Sequence, residues 1–125
     1  MNIKKVKLHI SNALRELEDA LDSYVKGNPK RMRFKIWKAS SEVEYALFIF
    51  EVLGEFSNNT QSLPKKSEKK RDIAEYIVKP QEFLQKALTF LREEKIDEAY
   101  KNILAGRELL MEFQEKVERK PHTKV

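Results

Sequence analysis

The sequence predicts an all-α fold, an antiparallel up-and-down four-helix bundle. Apolar residues recur every three or four positions through most of the chain, which is the period of a helix with one buried face. Apolar residues make up 41 % and charged residues 36 % of the chain, with only three Gly and four Pro, as in helix-rich domains with charged surfaces. At 125 residues one core can close without disulfides. We therefore expect one domain over residues 1–120 and a frayed tail over residues 121–125.

Helix one is predicted over residues 2–26 and helix two over residues 29–56, with a tight turn between them. Gly27 can adopt the left-handed conformation that closes a helix. Asn28 can cap the following helix with its side chain, and Pro29 suits the first position of that helix. The two helices are therefore expected to pack as antiparallel neighbours.

Two further helices are predicted after a polar loop at residues 57–62. Helix three begins near Ser67, and Pro80 lies inside its apolar pattern. Because proline lacks the amide hydrogen that a helix interior uses, the third helix is expected to be kinked or broken near Pro80, at residues 78–80. Helix four is predicted from Asp97, as its N-cap, to about Arg119.

Helix two carries two apolar seams, where an ordinary surface helix has one. The seams are spaced by three or four residues and are rotated by roughly half a turn from each other. The first seam consists of Ile36, Ser40, Val43, Leu47, Phe50 and Gly54. The second consists of Phe34, Trp37, Ser41, Tyr45, Phe48, Val52 and Phe56. A helix that is apolar on two faces has to be covered on two faces.

The second seam has two explanations. Helix two could be the central element of the bundle and contact helices one, three and four, which would use both seams within one molecule. In a four-helix bundle, however, a helix usually has two neighbours and needs one broad apolar face. We therefore favour association with a second copy or with another protein. The expected anchors are Phe34, Trp37, Tyr45, Phe48, Val52 and Phe56.

Basic clusters suggest a different function, because Lys and Arg can neutralise nucleic-acid phosphates without reading sequence. The net charge is +5, but 20 acidic residues are interleaved with 25 basic ones, so we favour a solvated Lys-rich surface as the explanation of the clusters. The 18 Lys and 16 Glu are typical of thermophile proteins with surface ion-pair networks. The candidate nucleic-acid contacts are Arg31, Arg33, Lys35, Lys65, Lys66, Lys69, Lys70 and Arg71.

Catalytic and metal-binding patterns are weak in this chain. It has no Cys and only two His, His9 and His122, so a nucleophile, a base and an orienting group are not found together. Neither His follows a Glu by three residues, as a helical di-metal site requires. We expect no enzyme activity, metal, cofactor or small-molecule substrate.

No apolar run is long enough to span a membrane, and the basic amino terminus lacks the apolar core of a secretory signal. A cytoplasmic location is therefore expected.

The sequence thus predicts a non-catalytic helical interaction module that self-associates, most simply as a homodimer, through the second seam of helix two. The alternative is a nucleic-acid-binding accessory protein that uses the Lys and Arg clusters.

Overall fold

A computed structural model of the protein describes residues 2–53 and 71–119 and contains four α-helices and no strand in these two ranges. The predicted all-α four-helix bundle is confirmed. No helix in the described ranges is both long and apolar enough to cross a membrane. The helices are α1 (Ile3–Val25), α2 (Pro29–Leu53), α3 (Glu75–Arg92) and α4 (Ile96–Arg119).

The turn between α1 and α2 forms as the sequence predicts. Gly27 has φ +75°, in the left-handed region that favours glycine. The backbone N–H of Arg31 donates a hydrogen bond to the Asn28 side chain at 3.2 Å, so Asn28 caps α2. At the start of α1, Asn2 accepts a hydrogen bond from the backbone N–H of Lys5 in the same way.

The four helices form a square in which α1 and α4 each pack against both α2 and α3. Near the end of α2, the Phe50 ring lies 5.1 Å from the ring of Tyr100, near the start of α4. At the opposite end of the bundle, the Tyr76 ring of α3 lies 5.5 Å from the Phe113 ring of α4. Both α2 and α3 are therefore antiparallel to α4. They point the same way and lie on a diagonal of the square.

The helix directions are therefore up, down, down, up, which corrects the simple up-and-down order predicted from the sequence. Every packed pair remains antiparallel, as predicted. The difference lies in the connection between α2 and α3, residues 54–74. A helix of the length of α2 is about 37 Å long, and an extended chain of these 21 residues would reach about 70 Å. The connection can therefore return along the whole bundle, and α3 starts at the end where α2 starts.

The starts of α3 and α4, and the continuity of α3 through Pro80, differ from the sequence prediction. α3 begins at Glu75, later than the start predicted near Ser67, because residues 71–74 are not helical. Of the kink or break predicted near Pro80, the break does not occur, since α3 continues through this residue. Gly106 of α4 lies against this turn, since a Cβ there would be in ordinary van der Waals contact with Leu84, at 3.4 Å, and with the Pro80 carbonyl oxygen, at 3.7 Å. Asp97 lies in the first turn of α4, not at its N-cap, because the helix begins one residue earlier.

The first seam of α2 lies in the core, as predicted. Ile36 and Phe50 are fully buried and Val43 is 1 % exposed. Several predicted features lie outside the described residues: the last turn of helix two with Gly54 and Phe56, the polar loop, and the tail over residues 121–125.

Candidate protein-interaction site

The second seam of α2 lies on the outer surface, opposite the core. We call its described residues Phe34, Trp37, Ser41, Tyr45, Phe48 and Val52 the aromatic strip. The five large side chains are between 52 % and 60 % exposed. The described part of the chain leaves more than half of each side chain exposed, because α2 packs against α1 and α4 while α3 lies across the diagonal. Within the described residues, the explanation in which neighbouring helices cover both seams is therefore wrong.

Ring contacts hold parts of the aromatic strip in place. The Phe34 and Trp37 rings stack with their centroids 6.3 Å apart. The Tyr45 ring stacks on the His9 ring of α1 at 5.3 Å. The Lys38 ammonium lies 5.5 Å from the centre of the Phe34 ring, within the range of a cation–π interaction. These contacts restrict the exposed rings, and so lower the entropy that a partner would have to remove on binding.

A polar rim borders the strip on the side of α1. His9 Nδ1 lies 2.7 Å from Glu42 Oε1, which also accepts a hydrogen bond from the Asn12 side chain at 3.4 Å. Lys35 Nζ lies 3.2 Å from Glu16 Oε1. These contacts join α1 to α2 next to the strip.

A second polar rim follows the side of α4. Arg107 Nε donates to Glu44 Oε2 at 2.7 Å, and the Tyr100 hydroxyl donates to Glu51 Oε2 at 3.5 Å. An apolar area enclosed by polar rims is the usual form of a surface that binds another protein.

The residues predicted to contact nucleic acid are only partly brought together. Arg31 and Arg33 are exposed at the start of α2. Lys35 is turned towards α1, where its ammonium lies 3.2 Å and 3.3 Å from carboxylate oxygens of Glu16 and Asp19, and its side chain is only 14 % exposed. The structure therefore places Lys35 in the packing between helices instead of on the surface that a phosphate would approach. Lys65, Lys66, Lys69 and Lys70 lie outside the described residues.

Arg33 and Arg71 both line a cavity of about 660 Å³ at the end of the bundle where α2 and α3 begin. Lys116 of α4 lines the same cavity, and Tyr76 and Phe113 form part of its apolar wall. Spacing along the chain could not predict that Arg33, Arg71 and Lys116 line one cavity, because their proximity depends on the direction of α3. Arg71 is already paired, since its Nε lies 3.3 Å from Glu112 Oε2. The nucleic-acid hypothesis therefore stays a prediction, and the aromatic strip is the better-supported site.

Tyr76 and Glu112 form a nearly buried hydrogen bond beside this cavity. The Tyr76 hydroxyl donates to Glu112 Oε2 at 2.8 Å, and Tyr76 is 2 % exposed. Burial, together with the hydrogen bond to Glu112 and its negative charge, raises the pKa of Tyr76 to about 12 against the opposing effect of Arg71. Burial alone would raise the pKa of Glu112. The hydrogen bonds from Tyr76 and Arg71 and the charges of Arg71 and Lys116 outweigh it and lower that pKa.

The raised pKa of Tyr76 predicts a loss of stability in alkali. The unfolded chain releases this proton near pH 10, whereas the folded protein keeps it until about pH 12. Between these values the unfolded state binds fewer protons, so the free energy of unfolding falls with rising pH, by about 2 kcal/mol. Tyr76→Phe lacks this contribution. Denaturant unfolding from pH 9 to pH 12 should therefore show the stability advantage of wild type over Tyr76→Phe shrinking by this amount.

Comparing the two proteins at each pH removes the effects of alkali that are common to both. A difference that stays constant across this pH range would contradict the assignment.

Comparison with known protein families, curated proteins and solved structures finds no match to this chain.

Proposed function

We propose that the protein is a non-catalytic helical interaction module that forms a homodimer through the aromatic strip of α2. The observation that carries the proposal is the exposure of five large apolar side chains in one row, each more than half accessible to solvent. Isolated exposed apolar residues are normal on protein surfaces, but a contiguous row indicates a binding surface.

The size of the strip supports an interface of modest strength. An aromatic side chain can bury about 150–250 Å², so four half-exposed rings offer about 400 Å² on each protomer. A standard interface buries about 800 Å² on each partner. The polar rims would therefore supply about half of the buried surface. This balance favours a reversible dimer over an obligate one.

The charges around the strip favour a second copy as the partner. Ser41 is the only polar residue of the strip, so no charge within it selects an acidic or a basic partner. The rims carry both signs, with Lys38 on the side of α1 and Glu44 and Glu51 on the side of α4. Two copies can therefore approach each other without strong net repulsion.

Phe48→Glu is expected to convert the dimer to a monomer. Phe48 is 60 % exposed, so the folded monomer loses little, whereas a carboxylate would be buried without a partner in the dimer. Because a two-fold interface contains the change twice, the dissociation constant should rise about a hundredfold or more. Sedimentation velocity or light scattering over a micromolar concentration series would show the fall towards the chain mass of 14.8 kDa.

Val78→Glu is the matched control. Val78 is 37 % exposed on α3, diagonal to α2, and the same change there should leave the dimer intact. A wild-type protein that stays monomeric throughout the series would refute the proposed function. So would a dimer that Phe48→Glu leaves unchanged.

A further inference from the structure

We propose that the two copies of α2 pair antiparallel about a two-fold axis beside Ser41, so that Phe34 faces Phe48 of the second copy and Trp37 faces Tyr45. This inference rests on the proposed function and specifies the geometry of the same surface. It follows from the spacing of the strip, the size of its central residue and the charges on one rim.

The spacing of the strip is symmetrical about Ser41. Trp37 and Tyr45 lie four residues before and after it, and Phe34 and Phe48 lie seven residues before and after it. A two-fold axis between antiparallel helices exchanges positions at equal distances on either side of its centre. Centred at Ser41, it therefore pairs every aromatic residue of the strip with another aromatic residue. Only Val52 has no partner within the strip.

A second centre pairs fewer members of the strip. An axis beside position 43 would pair Phe34 with Val52 and Ser41 with Tyr45, but it would leave Trp37 and Phe48 without partners in the strip. The axis beside Ser41 therefore buries more of the exposed aromatic surface.

The small side chain at the centre lets the two helices approach. Interaxial distances of packed helices are about 8–10 Å, depending on the side chains at the contact. With the Cα atoms about 2.3 Å from each helix axis, the two Ser41 Cα atoms would lie roughly 4–5 Å apart. Large rings at the centre would hold the helices further apart. Here they lie on both sides of the crossing, where they can interdigitate.

Charges on the rim beside α4 favour the antiparallel direction. Arg33 lies eight residues before Ser41 and Glu51 lies ten residues after it, and both are on this side of α2. In an antiparallel pair, Arg33 lies almost level with Glu51 of the second copy. Their distances from the centre differ by two residues, which is about 3 Å along the helix. A parallel pair, related by a two-fold axis along the helices, would bring the α4 side of one copy against the α1 side of the other, so Arg33 and Glu51 would not face each other.

Disulfide cross-linking tests this register, because the chain contains no cysteine. We expect Ser41→Cys to shift on oxidation from the chain mass of 14.8 kDa to twice that mass, since the expected Cα separation lies within the reach of a disulfide. Phe34→Cys and Phe48→Cys should not link to themselves. An equal mixture of the two should give the mixed dimer, identified by a size tag on one chain. Ser11→Cys, at an exposed serine of α1, should stay monomeric on oxidation.

Each outcome bears on one of the two proposals. Self-linking of Phe34→Cys and Phe48→Cys with no mixed product would show parallel pairing and overturn the register, while the dimer would stand. A wild-type dimer with no Ser41→Cys product would also overturn the register. Wild-type protein that remains monomeric by sedimentation would remove the proposed function itself. Circular dichroism of each variant would establish that it keeps the helical content of wild type.

Discussion

Phe50→Ala is expected to lower the free energy of unfolding by about 3–5 kcal/mol, the usual range for removing a buried phenylalanine. The Phe50 ring is fully buried and packs against Tyr100, so alanine would leave a cavity between α2 and α4. A domain of this size is commonly stable by about 5–15 kcal/mol. The change would therefore remove a large part of its stability. Urea unfolding followed by circular dichroism would measure the loss.

Phe48→Ala, two residues earlier on the same helix, is the matched control. Phe48 is 60 % exposed, so its removal should change monomer stability by less than about 0.5 kcal/mol. The two variants should also differ in association, since only Phe48 belongs to the aromatic strip. Measurements at protein concentrations below dimer dissociation separate the two effects, because dimerisation itself adds apparent stability. Equal losses for both variants would contradict the division of α2 into a core face and an outer face.

That division of α2 could be predicted from the sequence because it depends on helical period alone. Ile36 and Phe50 recur on one side and Phe34 and Phe48 on the other, whatever the arrangement of the remaining helices. The turn at Gly27 and Asn28 was predictable for the same reason, since capping is decided by neighbouring residues. Local patterns therefore predicted α1, α2 and the exposed strip.

The direction of α3 could not be predicted in this way. A connection as long as residues 54–74 allows either direction, and apolar periodicity does not distinguish them. The hydrogen bond between Tyr76 and Glu112 depends on this direction. These two residues are 36 positions apart in sequence and meet only because α3 starts where α4 ends. The sequence predicted a kink or a break at Pro80, but the helix continues through this residue, and α4 packs against that turn at Gly106.

Lys35 shows the same limit for charged residues. In the sequence it belongs to a basic cluster with Arg31 and Arg33 and resembles a surface cation. In the structure it lies on the side of α2 that faces α1 and is paired with Glu16 and Asp19. Its spacing from Arg31 could not reveal this, because the position of α1 decides which flank of α2 is covered.

Lys35→Met is expected to lower the free energy of unfolding by about 2 kcal/mol, between the values for exposed and for buried ion pairs. It removes the nearer of two ammonium groups beside the largely buried Glu16 carboxylate, and Lys38, 3.9 Å from Glu16, compensates only part of the charge. Glu16 Oε1 is inaccessible to solvent and lies 3.2 Å from Lys35 Nζ, although the angles of this contact do not meet hydrogen-bond geometry. The Lys35 ammonium therefore stabilises Glu16 Oε1 through its charge and not through a well-aligned hydrogen bond. Methionine keeps most of the length of the side chain, so the loss reports on charge more than on packing. Urea unfolding at neutral pH and low salt would measure it.

Two further variants separate the buried charge from a general effect of losing a lysine. Lys38→Met makes the same change three residues later, where Lys38 is 43 % exposed and 3.9 Å from Glu16, and should change stability by less than about 1 kcal/mol. The double variant Lys35→Met/Glu16→Met removes both charges and should regain most of the loss, since apolar replacement of a buried pair is often neutral. If the double variant were as unstable as the sum of its single changes, the two residues would not be coupled. If Lys35→Met left stability unchanged, the contact between Lys35 and Glu16 would not stabilise the fold.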